Sequence, residues 1–471
     1  MTSVERRPDL EAWTSYLTEP FRGRPVIVAF KVLAGMTNDV TRLKQWGARR
    51  PLLVARGTGT GPLPSPDDAD IWLLPLGPAP SLSEEVRKVH RLAASPPAEL
   101  VRRVEEYDPD RRAVWWLAPF AGHGSLLGRD VMGGRPDEWA RLEDKLLCDE
   151  IWDAAGVTRS PMRIVPAARG DLAEATKAIG GEDGAVWSGD ARDGINGGAD
   201  FVRWVRSDAD IESMTAYFAA HCDRVRVMPY LEGVPCSIHG FAVADGVAAF
   251  RPVELVMLRR PAGNRFILGG MSTWWDPSDA DREEMRALVR RVGTILVERV
   301  GYRGGFGIDG VMTRDGFRPT ELNPRFTGGL VTLARSVPEV PLELLQLSAV
   351  AGRDPRIDAM TLERLVINAA DRARFANALG ICERPWDGDT DEVDLAYQDG
   401  GFTVAPDPLA RVGTMAAGPA VTKGTFVRFT PSDDLMRPGM RLAPLHLKAL
   451  RFADRHWDRD FGELEAAPDV R

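Results

Sequence analysis

Residues 304–329 read GGFGIDGVMTRDGFRPTELNPRFTGG, and no other stretch limits the fold of this chain as tightly. Arg314, Asp315 and Gly316 supply turn residues between two β-like runs, the pattern of a hairpin from Gly305 to Arg325. If the loop is those three residues, the antiparallel register sets Asp309 directly opposite Glu321, with side chains roughly 5 Å apart on one face. Asn323 and Arg325 follow at two-residue steps and share that face, because alternate strand residues point the same way.

Two carboxylates crowded against an amide oxygen repel each other and raise a pKa. A hard cation removes that penalty, and magnesium prefers carboxylate oxygens together with nucleotide phosphates. Arg325, alongside, can neutralise a transferring phosphoryl group or the acyl phosphate it generates. The competing account is an ordinary hairpin with Asp309 and Glu321 solvated. Against it stand the apolar opposite face (Ile308, Leu322) and the breakers in the run Glu-Leu-Asn-Pro-Arg.

The rest of the chain reads as more than one domain, since 471 residues exceed a single compact core. Apolar runs at Pro25 to Phe30, Pro51 to Ala55, Ile71 to Leu76 and Ala113 to Phe120 alternate with helical stretches, which predicts a mainly parallel sheet with helices on its faces. The glycine-rich stretch Ala121 to Pro136 reads as a linker, followed by a helix carrying Leu142, Lys145, Leu146, Cys148 and Ile151. A small α+β unit is expected over Asp171 to Met228, and an amphipathic helix over Asp279 to Val300. Beyond Asp354 the pattern restarts, with a strand predicted at Arg364 to Ala369.

Composition narrows the function. The four cysteines are scattered without a CxxC pair, which suits a reducing cytosol and offers no zinc site. A net charge of −8 without a basic block argues against nucleic acid as a partner. No stretch is apolar and long enough to span a bilayer, and the charged N-terminus lacks a secretory core. A cytoplasmic protein acting on small molecules or peptides is the expectation. Arginine outnumbers lysine 53 to 7, so each lysine merits attention.

The run Gly-Ile-Asp309-Gly and, after a short gap, Glu321-Leu-Asn323-Pro-Arg325 resembles the metal-binding signature of the ATP-grasp superfamily. The likeness covers roughly residues 20 to 350. It implies an α/β chain with the ATP-grasp fold. A pre-ATP-grasp N-terminal α/β domain would occupy 1–135 and the ATP-grasp domain 136–355, with an α+β lid at roughly 160–228 and a larger α+β half. An extra C-terminal α/β domain would occupy 356–471. ATP and Mg2+, with Mn2+ as an alternative ion, are the implied cofactors. Asp309, Glu321 and Asn323 would hold the metal, and Arg325 would contact phosphate. Lys145 resembles the family's first nucleotide-contacting lysine, and an ammonium suits phosphate as a point charge.

The turn from Gly189 to Gly198 resembles the family's lid loop, where Gly194, Gly197 and Gly198 let backbone N–H groups approach phosphates. Met228 to Gly233 resembles the strand that pairs adenine through the backbone, with the Pro229 carbonyl as acceptor, the Leu231 N–H as donor and Glu232 near the ribose. One departure stands out. Many members end the strand before the lid loop with a second lysine, whereas this chain has Ser188; Arg192 or Arg203 could substitute. Arg251, Glu254 and Arg259 are candidates for holding substrate, with a solvated face as the alternative. His239 and the other histidines show no ligand spacing and read as packed or surface residues.

The resemblance implies a ligase that phosphorylates a carboxylate, releases ADP and joins the acyl group to an amine. Shorter likenesses (the Trp-Ser-Gly-Asp run at 187, Phe250 to Glu254, and the extension past 360) are to the peptide-ligase branch that acts in pheganomycin biosynthesis. That branch implies a peptide bond between an unusual amino acid and a peptide. A small-metabolite or dipeptide ligase and a non-catalytic ATP-binding regulator stay open as alternatives. So does the oligomeric state, a homodimer included.

Overall fold

The computed structural model describes residues 10–471 except 75, 76, 78, 80, 118–121, 123, 193, 195–198 and 421–423. Val26–Ala29, Leu52–Ala55 and Val114–Trp116 are buried at every position. Strands buried at consecutive residues need cover on both faces, the condition of a parallel sheet under helices. They do pair in parallel, with Val26–Ala29 in the middle. Asp70–Leu73 and Arg129–Met132 extend the sheet in parallel on either side, and Ser125–Leu126 lies antiparallel at one edge. Val26, Val28 and Leu53 enter one apolar cluster while Ile27, Ala29 and Leu52 enter another, as two-faced burial requires.

Two of these strands fall in the stretch expected to be a linker. The reason is Arg129, whose buried side chain binds Asp108 at 2.7 Å and ties its strand to the sheet.

The second sheet is antiparallel at every pairing and larger. It runs from Gly316–Asn323 through Gly304–Thr313, Val234–Val243, Val253–Arg260 and Arg265–Ser272, then continues through Ala376–Cys382 into the C-terminal strands. The helix Asp279–Val300 lies against it. Ser278 caps this helix by accepting from the Asp281 N–H, and Met285, Leu288, Val289, Val292 and Leu296 form its buried stripe. A small unit of four antiparallel strands (Arg163–Pro166, Ala185–Gly189, Val202–Val205, Arg224–Pro229) and two helices has its own core around Trp187 and Phe218. It meets the large sheet at the pair Arg203–Arg265.

The strand expected at 364–369 is part of a helix, Ala359–Arg372. Its Leu362, Val366, Ala369 and Ala370 are buried at helical spacing, and Asp358 caps it through the Thr361 N–H, so an apolar run that looked like a strand is a helix's inner face. The helix expected around Lys145 begins later, at Cys148–Ala154. Asp144 accepts from the Leu146 N–H at 2.9 Å, and this local turn competes with helix at residues 144–146. Among the described residues no helix is long and apolar enough to cross a membrane.

Candidate functional site

The hairpin forms, and its register is built in two steps. Thr313 pairs with Gly316, so Arg314 and Asp315 are the only unpaired loop residues, one fewer than expected. Gly316 takes φ 98°, a conformation open to glycine. Carried down the ladder, that register would set Asp309 against Thr320. A bulge between Pro319 and Glu321 takes up Thr320, whose hydroxyl donates to the Asp309 carbonyl at 3.2 Å. Asp309 therefore pairs with Glu321, Ile308 with Leu322 and Gly307 with Asn323.

On the Asp309 face the polar groups are chained. Asn323 Nδ2 donates to Asp309 Oδ2 at 3.0 Å, and Arg325 Nη2 donates to Asn323 Oδ1 at 3.0 Å. Arg325 Nε donates to Glu143 at 2.7 Å, and Glu143 also pairs with Arg135. The Lys145 ammonium binds Glu321. Burial, and then the Glu321 charge, push the Asp309 carboxyl up to about 6. Burial works against ionised Glu143, but Arg325 and Arg135 beside it hold its carboxyl below the usual range. For Arg325 burial likewise opposes the charge, and Glu143 raises its pKa above the ordinary value.

The donor set is two carboxylates and an amide, hard oxygens that suit magnesium. Among the described residues no group of three His, Cys, Asp or Glu side chains is gathered as a metal site. The excess negative charge of the facing carboxylates, met here by the Lys145 ammonium, is what a dication would neutralise. The residues fit such an ion.

These groups sit at one end of a cavity of about 470 Å³. Its other end is apolar, walled by Met228, Pro229, Leu231, Met257 and Phe266, with Tyr230 stacked on Trp204 at 4.2 Å. Arg259 lines the cavity, donating to the Tyr230 hydroxyl at 2.9 Å and pairing with Glu232 at 3.3 Å; Glu232 is not among the lining residues. Gly194, at φ 101°, is exposed and outside the lining, and Gly197 and Gly198 lie outside the described residues.

Ser188 lines the cavity, and its ladder partner is Arg226, which lines it too. Arg226 is held by Asp149 at 2.5 and 2.8 Å. The proposed stand-ins for the missing lysine are turned elsewhere: Arg192 donates to the Ala220 carbonyl at 2.8 Å, and Arg203 lies over the Tyr217 ring at 4.6 Å.

Arg251 and Glu254 are not brought to the cavity, which corrects their reading as substrate ligands. Arg251 is locked between Asp276 and Asp371. Glu254, fully buried, accepts from the Leu442 N–H at 2.5 Å, the Ala443 N–H at 3.2 Å and Arg441 at 3.3 Å, where the C-terminal helix Ala443–Trp457 begins. It holds that helix start to the sheet.

Sequence reasoning passed over several lining residues, among them Glu143, Ser237, His239, Gly328 and Gly329. A signal existed for two of them. Ser237 and His239 alternate with Cys236 and Ile238 along one strand, so the polar pair shares a face. A second cavity of about 140 Å³ adjoins the first through Arg325, Phe326 and Val331. It lies at the carboxyl ends of Val26–Ala29 and Val114–Trp116, where the strand order of the parallel sheet reverses and open α/β sheets offer a crevice.

No protein-family model matches the chain, and no curated protein matches it in sequence. Solved structures do match in fold. N5-carboxyaminoimidazole synthase from Aspergillus clavatus, crystallised with ADP and an aminoimidazole ribonucleotide, is 14% identical at a TM-score of 0.51, covering 92% of this chain and 100% of that one. The biotin carboxylase domain of 2-oxoglutarate carboxylase from Hydrogenobacter thermophilus, in complex with MgADP, ADP and bicarbonate, is 14% identical at 0.51, covering 93% and 91%. Phosphoribosylamine–glycine ligase from Thermotoga maritima is 14% identical at 0.50, covering 94% and 98%. The chain has the ATP-grasp fold together with additional C-terminal strands.

Proposed function

We propose that this chain is an ADP-forming ligase that activates a carboxylate with ATP and joins it to an amine. The observation that carries the reading is the facing pair Asp309 and Glu321, chained to Asn323 and Arg325, at one end of a cavity whose other end is apolar. The apolar end suits a purine, with the Pro229 and Leu231 backbone beside it and Glu232 behind Arg259. Gly194 and its neighbours in the lid turn would approach the phosphates. Asp309, Glu321 and Asn323 would hold Mg2+, or Mn2+, which when bound offsets charge on the terminal phosphates.

Substrate carboxylate oxygen attacks the γ-phosphorus, ADP leaves with the bridging oxygen, and the acyl phosphate is then open to the amine. Lys145 and Arg325 orient and neutralise the transferring group. The lid, closing over the bound substrates, would exclude water from the acyl phosphate.

The finer reading is a peptide bond between an unusual amino acid and a peptide, in peptide-antibiotic biosynthesis. It draws on the short likenesses around residues 187 and 250, and the adjoining second cavity gives a longer amine room. The domain limits 1–135, 136–355 and 356–471 belong to the same proposal, as does a cytoplasmic setting. The test is ADP release screened over carboxylic acids and amines. Glu321→Gln is expected to lower acid-dependent ADP release at least about 100-fold while leaving nucleotide binding within about tenfold. Undiminished turnover would remove the metal assignment. ATP binding with no ADP from any acid would favour a regulator, and AMP as product would reject the acyl phosphate.

A further inference from the structure

The second cavity opens at the crevice between the carboxyl ends of Val26–Ala29 and Val114–Trp116. Lys31 follows the first of those strands, and Trp116 ends the second. The Lys31 ammonium stands 5.2 Å from the centre of the Trp116 ring, and both residues line the cavity. Of the chain's seven lysines, Lys145 lines the first cavity and Lys31 the second. Lys31 binds Asp39 at 2.7 Å, but the two partners are unequally covered: 28% of the lysine side chain is accessible and 6% of the aspartate side chain. An ammonium has three N–H groups, so those not given to Asp39 belong to the accessible side of the pair.

The opposite wall is the helix Leu342–Val350. Glu343, Gln346, Leu347 and Val350 line the cavity at steps of three and four, which is one face of a helix. Gln346 marks the end nearer the phosphate site. Its side chain accepts from the Gly305 N–H at 2.6 Å, two residues before Gly307, whose ladder partner is Asn323. Glu343 lies about one turn further along, roughly 5 Å on the helix axis, at the Lys31 end. There it pairs with Arg42, which also lies 3.7 Å from Asp39. Arg335 is close by, against the Phe375 ring at 5.2 Å, and has no ion pair among the described residues. Burial and then the charges of Arg42 and Arg428 disfavour its ionised form, with Glu343 opposing them. The end of the cavity away from Arg325 therefore lies in a field of surplus positive charge, which an anion would relieve.

We propose that the second cavity receives the amine substrate and that Lys31 selects an amine carrying a carboxylate, an amino acid or short peptide with a free C-terminus. This rests on the ligase reading above. The carboxylate being activated belongs beside the phosphates at Arg325, so an ammonium at the other end serves a carboxylate that the reaction leaves intact. An amino acid or peptide entering as the amine carries such a group, whereas the acid need not. The amine would lie with its nitrogen toward Arg325, its chain between Trp116 and Leu347, and its carboxylate on the Lys31 N–H groups that Asp39 leaves free. Arg42 holds Glu343 and so offsets the one carboxylate of the wall that would repel it. At about 140 Å³, under a third of the first cavity, the space suits an occupant of this size.

The test compares each amine of a panel of amino acids, dipeptides and tripeptides with its C-terminal carboxamide, which keeps the nitrogen and the shape but not the charge. The native chain should couple the best free-carboxylate amine about 10- to 100-fold better in kcat/KM than its carboxamide, the scale of one hydrogen bond between charged groups. In Lys31→Met that preference should shrink to about threefold or less, through a higher KM for the carboxylate form alone. The single change strands Asp39, so Lys31→Met with Asp39→Asn, which removes both charges, repeats the measurement where the single variant does not fold. Hydroxylamine is small and carries no carboxylate, so hydroxamate reports activation of the acid separately from coupling. A native chain indifferent to the carboxylate overturns the proposal, as does a preference that survives in the variants. Equal loss with both forms, or loss of hydroxamate in the variants, gives Lys31 a structural or acid-side role and overturns it too. So does a native chain that forms hydroxamate but couples no amine of the panel. If the native chain gives neither ADP nor hydroxamate with any acid, it is the ligase reading that has failed, and the subsite falls with it.

Discussion

Residue by residue, the side chains sort by what their charge meets. Asp309, Glu321, Asn323 and Arg325 were legible because a strand's two-residue period and a recognisable turn bring them together from local sequence alone. Glu254 looked similar in sequence, but its partners Arg441, Leu442 and Ala443 arrive nearly two hundred residues later, a separation that no local pattern encodes. Its buried carboxylate serves the fold. Glu254→Ala should therefore destabilise the chain by about 3–5 kcal/mol, by stranding Arg441 and two backbone N–H groups, while leaving the KM for both substrates of the folded fraction unchanged. Denaturant titration alongside steady-state kinetics checks it; a specificity change at native stability would return Glu254 to the substrate site. His239 was hidden for another reason. Its neighbours in space, Gly307 and Gly329, are residues without side chains, and a slot leaves no mark in sequence.

Among the elements, the hairpin shows how two local irregularities cancel. A glycine in the turn shifts the register by one and a bulge at Thr320 shifts it back, so the expected pairing is reached from a loop one residue shorter than expected. The helix Gly328–Ser336 depends on equally close terms, because its start leans on the His239 ring. Gly329→Ala forces a methyl group into that ring and should cost about 1–3 kcal/mol. Adding His239→Ala should return most of the loss, a coupling that a double-mutant cycle in urea reads directly. Simple additivity would mean that the helix start and the ring do not share the slot. The short turn at Asp144–Leu146 reads as helix in sequence because apolar spacing continues through it, but an Asp side chain bonding to the backbone outweighs that spacing.

For the whole molecule, the architecture was legible where apolar runs are long and alternate with helical stretches, as in the parallel sheet. It was less so at the C-terminus, where Ala376–Cys382 joins the large sheet beside Arg265–Ser272 through contacts of long sequence separation. This junction has a pH signature. His446, on the C-terminal helix, is fully buried against the Leu379 carbonyl, and burial lowers its pKa from 6.5 to about 4. The folded state thus holds the ring neutral, while the unfolded chain binds a proton near pH 6.5. Stability is complete above that value and is lost as pH falls from about 6.5 toward 4, by up to about 3 kcal/mol. Denaturant midpoints at pH 7.5, 6 and 5 should fall in that order, with a shallower decline in His446→Gln. A decline of the same size in that variant would assign the effect to other groups.

The proposed ligase chemistry requires a divalent ion between the facing carboxylates, and the most direct measurement is a crystal structure with a non-hydrolysable ATP analogue and Mn2+, located by anomalous scattering. The predicted result is a manganese peak between Asp309 and Glu321, about 2.0–2.3 Å from carboxylate oxygens and bridging to the terminal phosphates, with Lys145 drawn from Glu321 to a phosphate. A nucleotide bound with no peak there, or with the ion held away from both carboxylates, would contradict it.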